Sequence, residues 1–188
     1  ILAVQDVSMP TVDSYLAALR KLFVICDIPA WSAAIRSAAS MRSTPKRGMC
    51  DPSVAVAALG ADPEYFLKDF KTFGFIFESL VMRDLKAYSM ALGGKLSYYR
   101  DRYGLEADAV LHLKDGRYAL IEIKLGSKEI KEGAAHLLEI QQLIREYNKT
   151  EKPCPLAEPD LLMVITGGEL GYTNVNGVHI IPVSALKP

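Results

Sequence analysis

"LEADAVLHLKDGRYALIEIKLG", residues 105–126, alternates apolar and polar side chains on both sides of an Asp-Gly pair. That pattern predicts two antiparallel strands joined by a short hairpin. Leu120, Ile121, Ile123 and Leu125 belong in a core, yet Glu122 and Lys124 put two charges among them. Two residues apart on a strand, these charges face the same way. Tyr118 and Leu120 share their face, and Ile121, Ile123 and Leu125 take the other. On the preceding strand Glu106, Asp108, Val110 and His112 form one face, and Ala107, Ala109, Leu111 and Leu113 form the apolar one.

The turn decides whether the two charged faces coincide. A two-residue turn at Asp115-Gly116 sets Asp108 and Glu122 on opposite faces. A three-residue turn, Lys114-Asp115-Gly116, pairs His112 with Tyr118, Val110 with Leu120 and Asp108 with Glu122. It also puts Gly116 at the left-handed position that glycine tolerates best. The expectation is therefore a positive φ at Gly116, cross-strand Asp108 and Glu122 at ~4.5–5.5 Å between Cβ atoms, and Lys124 diagonal to them. Two carboxylates that close need a cation. Lysine supplies one, and hard oxygen ligands suit Mg²⁺ or Mn²⁺ as another. Glu78 joins the set from a preceding helix, where a carboxylate on an apolar stripe needs a partner. The plainer alternative is a salt-bridged decoration of a solvated strand.

Around this hairpin the segments read in order. "SMPTVDSYLAALRKLFVI" opens with Ser8 and Pro10, which suit a helix start, and Val12, Leu16, Leu19 and Phe23 recur at helical spacing. "LFVICDIPAW" turns strand-like and stops at Pro29. A basic loop follows, with Arg36, Arg42, Lys46 and Arg47 and no acid between Ile28 and Cys50. "RGMCD" reads as a returning strand. Helix, strand, basic loop and strand resemble the second half of a winged helix, with these four cations as candidate DNA contacts. The other reading is a helix–hairpin unit that only packs on its neighbour. "DPSVAVAALG" is a short helix ended by Gly60. A long helix is expected from Pro63 to Leu92, with Gly74 as a break and Phe73, Phe77, Leu80, Val81, Tyr88 and Leu92 inward. Beyond the hairpin come a helix with Ile130, Ala134, Leu137, Leu138 and Leu143/Ile144 inward, a loop, the buried strand "DLLMVITGG" and the short strand "GVHIIPVSAL". The expected division is a winged-helix-like unit over 1–60 and an α/β domain over 61–188.

Composition narrows the function classes. The 188 residues are 50% hydrophobic and carry 22 basic against 22 acidic side chains, so any nucleic-acid contact must be a local patch. The three cysteines, Cys26, Cys50 and Cys154, have no zinc spacing, which favours a reducing cytoplasmic setting. No apolar run is long enough to span a bilayer, so no membrane role is expected. The absence of an initial Met suggests a piece of a longer protein. His112, His136 and His179 are isolated in sequence and read as packing or surface residues, and Trp31 as a core anchor.

Asp108, Glu122-Ile123-Lys124 and an upstream Glu78, in an αβββαβ order over roughly 64–183, resemble the PD-(D/E)XK superfamily with its restriction-endonuclease-like fold. More narrowly, "TVDSYLAALRKLFVICDIPAW" (11–31), "TPKRGMCDPS" (44–53), "FGFIFESLVMRDLKAY" (73–88) and "YYRDRYGLEADAVLHLKDGRYALIEIKLG" (98–126) resemble the C-terminal domain that follows the ATPase module in prokaryotic AAA-type ATPases. The resemblance implies a winged helix leading into a nuclease-like domain, DNA as partner and an ATPase module in the same full-length chain. It also implies Mg²⁺ on Asp108 and Glu122, Lys124 as the water-activating group and Glu78 assisting. Departures are plain. Glu106-Ala107 precedes Asp108 where the superfamily motif has Pro, and Gln141, Gln142 and Tyr147 miss the spacing of the helix motif of RecB-like members. No phosphate-binding Gly-x-x-x-x-Gly-Lys-Ser/Thr occurs, so ATP would bind elsewhere. The alternative is a catalytically inactive nuclease-fold module that binds DNA or a protein partner.

Overall fold

The computed structural model describes residues 7–31, 44–149 and 155–187. Helix α1 (Met9–Lys21) starts at Ser8, whose hydroxyl accepts the Thr11 N–H, and Pro10 sits in its first turn. It is followed by β1 (Ile25–Ile28) and β2 (Lys46–Met49), an antiparallel pair. The order is the one expected, but Phe23 is not part of the helical stripe. It lies past the helix end with φ +56° and is 81% exposed. Arg36 and Arg42 fall outside the described residues.

Helices α2 (Pro52–Leu59), α3 (Pro63–Lys68) and α4 (Phe70–Ala91) come next. Gly60 ends α2 with φ +61°, as its position predicts. The expected single long helix is two helices, and the break is at Asp69 rather than Gly74. The Asp69 carboxylate accepts the Thr72 N–H and hydroxyl (3.1 and 2.7 Å), capping a new helix start. The buried face of α4 is Phe77, Val81, Met82, Leu85 and Ser89. Leu92, expected inward, lies beyond the last turn and is 66% exposed.

The remaining elements are β3 (Lys95–Arg100), β4 (Glu106–His112), β5 (Tyr118–Lys124), α5 (Ile130–Lys149), β6 (Leu161–Thr166), β7 (Tyr172–Thr173) and β8 (His179–Pro182). They build a mixed six-stranded sheet in the order β3-β4-β5-β6-β8-β7. The first three strands are antiparallel, and α5 carries the chain across to β6, which runs parallel to β5. Helix α4 covers one face with Ala109, Ile121, Ile123 and Ile165 beneath it. Helix α5 covers the other with Leu137, Ile140 and Ile144 over Val110, Leu120 and Val164. Burial of each such side chain contributes about 1.5–3 kcal/mol. Leu143, one of two residues expected inward at that turn of α5, is 43% exposed, and Ile144 takes the core position.

The β4–β5 hairpin has the three-residue turn. Leu113 N–H donates to Arg117 O (2.8 Å), Gly116 N–H donates to Leu113 O (3.2 Å), and Gly116 has φ +93°. His112 faces Tyr118 and Val110 faces Leu120, the register that the three-residue turn requires. Replacing Gly116 with Ala should cost about 1–2 kcal/mol, the penalty for a Cβ in the left-handed region. Chemical denaturation measures it, and an unchanged midpoint would mean that the turn relaxes.

Candidate functional site

Strand β5 is buried along all of its length except Lys124, and the Glu122 side chain is only 1% exposed. It is therefore not a solvated decoration. Its Oε2 accepts a hydrogen bond from Lys124 Nζ at 2.8 Å. Gly133 lets α5 approach this pair closely: a Cβ there would stand 3.3 Å from Glu122 Cβ and 3.2 Å from Lys124 Cε.

Asp108 reaches the pair through a break in the β3–β4 ladder. Ser97 faces Val110 and Tyr99 faces Ala107, so the single residue Tyr98 opposes both Asp108 and Ala109. This is a β-bulge, which re-aims side chains. Ala107 consequently packs under α5 while Ala109 packs under α4, although strict alternation would put both on one face. The cause is non-local. Tyr98 is held on its outer edge by backbone bonds to Pro29 and Trp31 (3.0 and 2.7 Å), and its hydroxyl donates to Thr44 O at 2.6 Å. With β4 displaced, Asp108 Oδ2 accepts the Ile123 N–H at 2.9 Å, taking the place of a missing ladder carbonyl.

The bulge also turns Asp108 toward the α4 side, where Glu78 waits, whereas Glu122 lies against Gly133 and His136 of α5. The β4–β5 ladder stops at Ala109 opposite Ile121, so Asp108 and Glu122 are not the facing pair expected. Lys46 on β2 joins Asp108 and Glu78: its Nζ lies 2.5 Å from Glu78 Oε1 and 3.5 Å from Asp108 Oδ1. The basic run around Lys46 suggests a solvated loop. Lys46 is instead part of the carboxylate centre, and of the four candidate DNA contacts only Arg47 stands exposed among the described residues.

Electrostatics follow from this crowding. Burial, then the nearby Asp108 charge, pushes the Glu122 carboxyl up to about 8, against the opposing Lys124 hydrogen bond. Burial by itself would lower Lys46, but the charges of Glu78 and Asp108 outweigh it and hold the ammonium above its ordinary value. Lys124 behaves likewise, with Glu122 and then Asp108 overcoming its burial.

One participant was not legible as such. His136 on α5, one turn beyond Gly133, brings Nδ1 to 3.6 Å from Glu122 Oε1. Both atoms are buried without a hydrogen-bond partner. The small-residue run "GAAH" is the only hint of it in the sequence.

In this arrangement the carboxylates do not fit a divalent cation. Asp108 Oδ2 is committed to Ile123, and Glu78 and Asp108 Oδ1 face Lys46; Glu122 Oε2 faces Lys124. Of their fully buried oxygens, Glu122 Oε1 is the one without a hydrogen-bond partner. Among the described residues no group of three or more His, Cys, Asp or Glu is disposed to hold a metal ion. Beside the centre, at the carboxyl end of β5, a cleft of about 760 Å³ is lined by Lys71, Phe75, Glu78, Lys124 and Lys128 among others. Phe70 and Phe75 on its wall are 61% and 59% exposed. Among the described residues no helix is long and apolar enough to cross a membrane.

Comparison with known proteins adds a family. No curated protein and no solved structure matches the chain. Residues 1–65 match a family described as a domain of unknown function (DUF8612). Residues 73–186, more than half of the chain, match a second one, so the protein belongs to the family described as a domain of unknown function (DUF4143), found at the C-terminus of AAA-type ATPases.

Proposed function

We propose that the chain is a nuclease-like DNA-binding module of a larger AAA-type ATPase, holding a nucleic-acid backbone in the cleft beside Glu78, Asp108, Glu122 and Lys124 without cutting it. Support for a restriction-endonuclease-like core is the antiparallel β3–β4–β5 run followed through α5 by parallel β6, with the acidic centre on β4 and β5. The single observation that carries the binding reading is the cleft itself. It lies at the carboxyl end of a central strand, where open α/β sheets take their ligands. Its wall offers lysines for phosphates and exposed phenyl rings on which bases stack. Glu129 and Glu132 also line it and Lys124 is paired with Glu122, so phosphate contact falls to Lys71 and Lys128. A cleaving reading, with Mg²⁺ or Mn²⁺ on Asp108 and Glu122, has one observation in its favour, the unpartnered Glu122 Oε1.

The test is DNA affinity by fluorescence anisotropy across a salt series. Exchanging Lys71 and Lys128 together for Ala should weaken binding and lower the salt slope by about one unit for each phosphate no longer neutralised. An unchanged slope removes the cleft from the reading.

A further inference from the structure

The strongest unexplained feature is Lys46. It comes from β2, in the antiparallel pair that precedes α2, yet its ammonium sits between Glu78 of α4 and Asp108 of β4. A lysine so placed loses hydration and rotamer freedom, and the two carboxylates that face it favour its charged form. Three elements far apart in sequence thus converge on one cation position. Asp108 is aimed there by the bulge at Tyr98, and the same Tyr98 hydroxyl binds Thr44 O, two residues before Lys46. The bulge and the placement of Lys46 are therefore fastened together.

We infer that Lys46 is the resident counter-cation of the carboxylate centre, and that its ammonium excludes divalent metal from Glu78 and Asp108. This deepens the reading of the centre as a nuclease-like site that does not cut, and rests on that reading only for its functional meaning. The exclusion follows from charge. An ammonium within hydrogen-bond reach of the carboxylates occupies their lone pairs and repels a second cation at the same distance. Removing the ammonium while keeping the apolar stem leaves Glu78 Oε1 and Asp108 Oδ1, two hard oxygens, beside the position the charge has left, with water to complete the shell of an entering cation.

The experiment is Mn²⁺ binding, followed by the electron paramagnetic resonance signal of the free ion, on the wild type, Lys46→Met and Lys46→Arg. Circular dichroism checks that each variant is folded. Wild type and Lys46→Arg are expected to leave the ion free. Lys46→Met should bind it about tenfold or more tightly than wild type, since a repelling charge a few Å away has gone. Adding Glu78→Gln to Lys46→Met should abolish the gain. Mn²⁺ bound equally by wild type and Lys46→Met overturns the inference, as does a folded Lys46→Met variant that binds none. Wild-type binding that is abolished in Asp108→Asn overturns it whatever the fold of the lysine variants. DNA binding by the same wild-type sample is measured separately, so failure of the DNA reading and failure of the Lys46 inference remain distinct results.

Discussion

Lys124→Met should destabilise the domain by about 1.4 kcal/mol more at pH 9 than at pH 5, the worth of the one pH unit over which the folded variant keeps a proton that wild type, at about 8, has released. Glu122 is almost wholly buried, and the Lys124 ammonium at 2.8 Å is its one direct ion-pair hydrogen bond. The loss should depend on pH. The folded state holds the Glu122 proton up to about 8, while an ordinary glutamate releases it near 4.5. Between those values the folded state binds more protons than the unfolded one, so this group makes stability fall as pH rises. Without Lys124 the folded carboxyl moves higher still, and the fall continues past pH 8. At pH 5 Glu122 is protonated in the folded state, needs no counter-ion, and the variant should lie closer to wild type. Urea unfolding of both proteins at pH 5 and pH 9 measures the difference, and Glu122→Gln combined with Lys124→Met should recover much of the loss at pH 9. Equal losses at the two pH values would mean that Lys124 acts through packing rather than charge.

Asp108→Ala is expected to cost about 1–3 kcal/mol, the penalty for a buried N–H left without an acceptor. The orphan is Ile123 N–H, which the bulge deprives of a backbone partner and Asp108 Oδ2 serves instead. The same change removes a negative charge beside Glu122, so the Glu122 carboxyl should titrate lower than about 8. Carbon-detected NMR titration of the glutamate carboxyl groups follows that shift. Asp108→Asn separates the two effects, because its amide oxygen can keep the bond to Ile123 while the charge is removed. It should hold stability and still lower Glu122. A Glu122 carboxyl that titrates unchanged in both variants would show that burial acts on it without help from Asp108.

What could be read from the chain was local. The hairpin register follows from "LKDGRY", because only a three-residue turn puts glycine where φ is positive, and Gly116 adopts φ +93°. Gly60 ends its helix for the same reason. What could not be read depends on partners distant in sequence. The bulge that re-aims Asp108 arises from Tyr98 being gripped by Pro29, Trp31 and Thr44. Strict alternation on β4 therefore misplaces Ala107 relative to Ala109. Lys46 sits in a run of cations that reads as a solvated loop, and no periodicity ties it to Glu78 some thirty residues on. His136 is isolated in sequence and meets Glu122 only because Gly133 draws α5 onto the sheet. The α3–α4 break is expected at Gly74 because glycine is the louder signal. Asp69, capping through Thr72, ends one helix and starts the next.

DNA binding without strand scission is the role proposed here for the cleft beside this carboxylate centre. Its most direct test is to incubate the chain with labelled duplex and single-stranded DNA, with and without Mg²⁺ or Mn²⁺, and to read anisotropy and strand length from the same samples. Binding that weakens as salt rises is expected, with every strand still full length in the presence of metal. Absence of salt-dependent binding, or metal-dependent cleavage that disappears in Glu122→Gln, would contradict it.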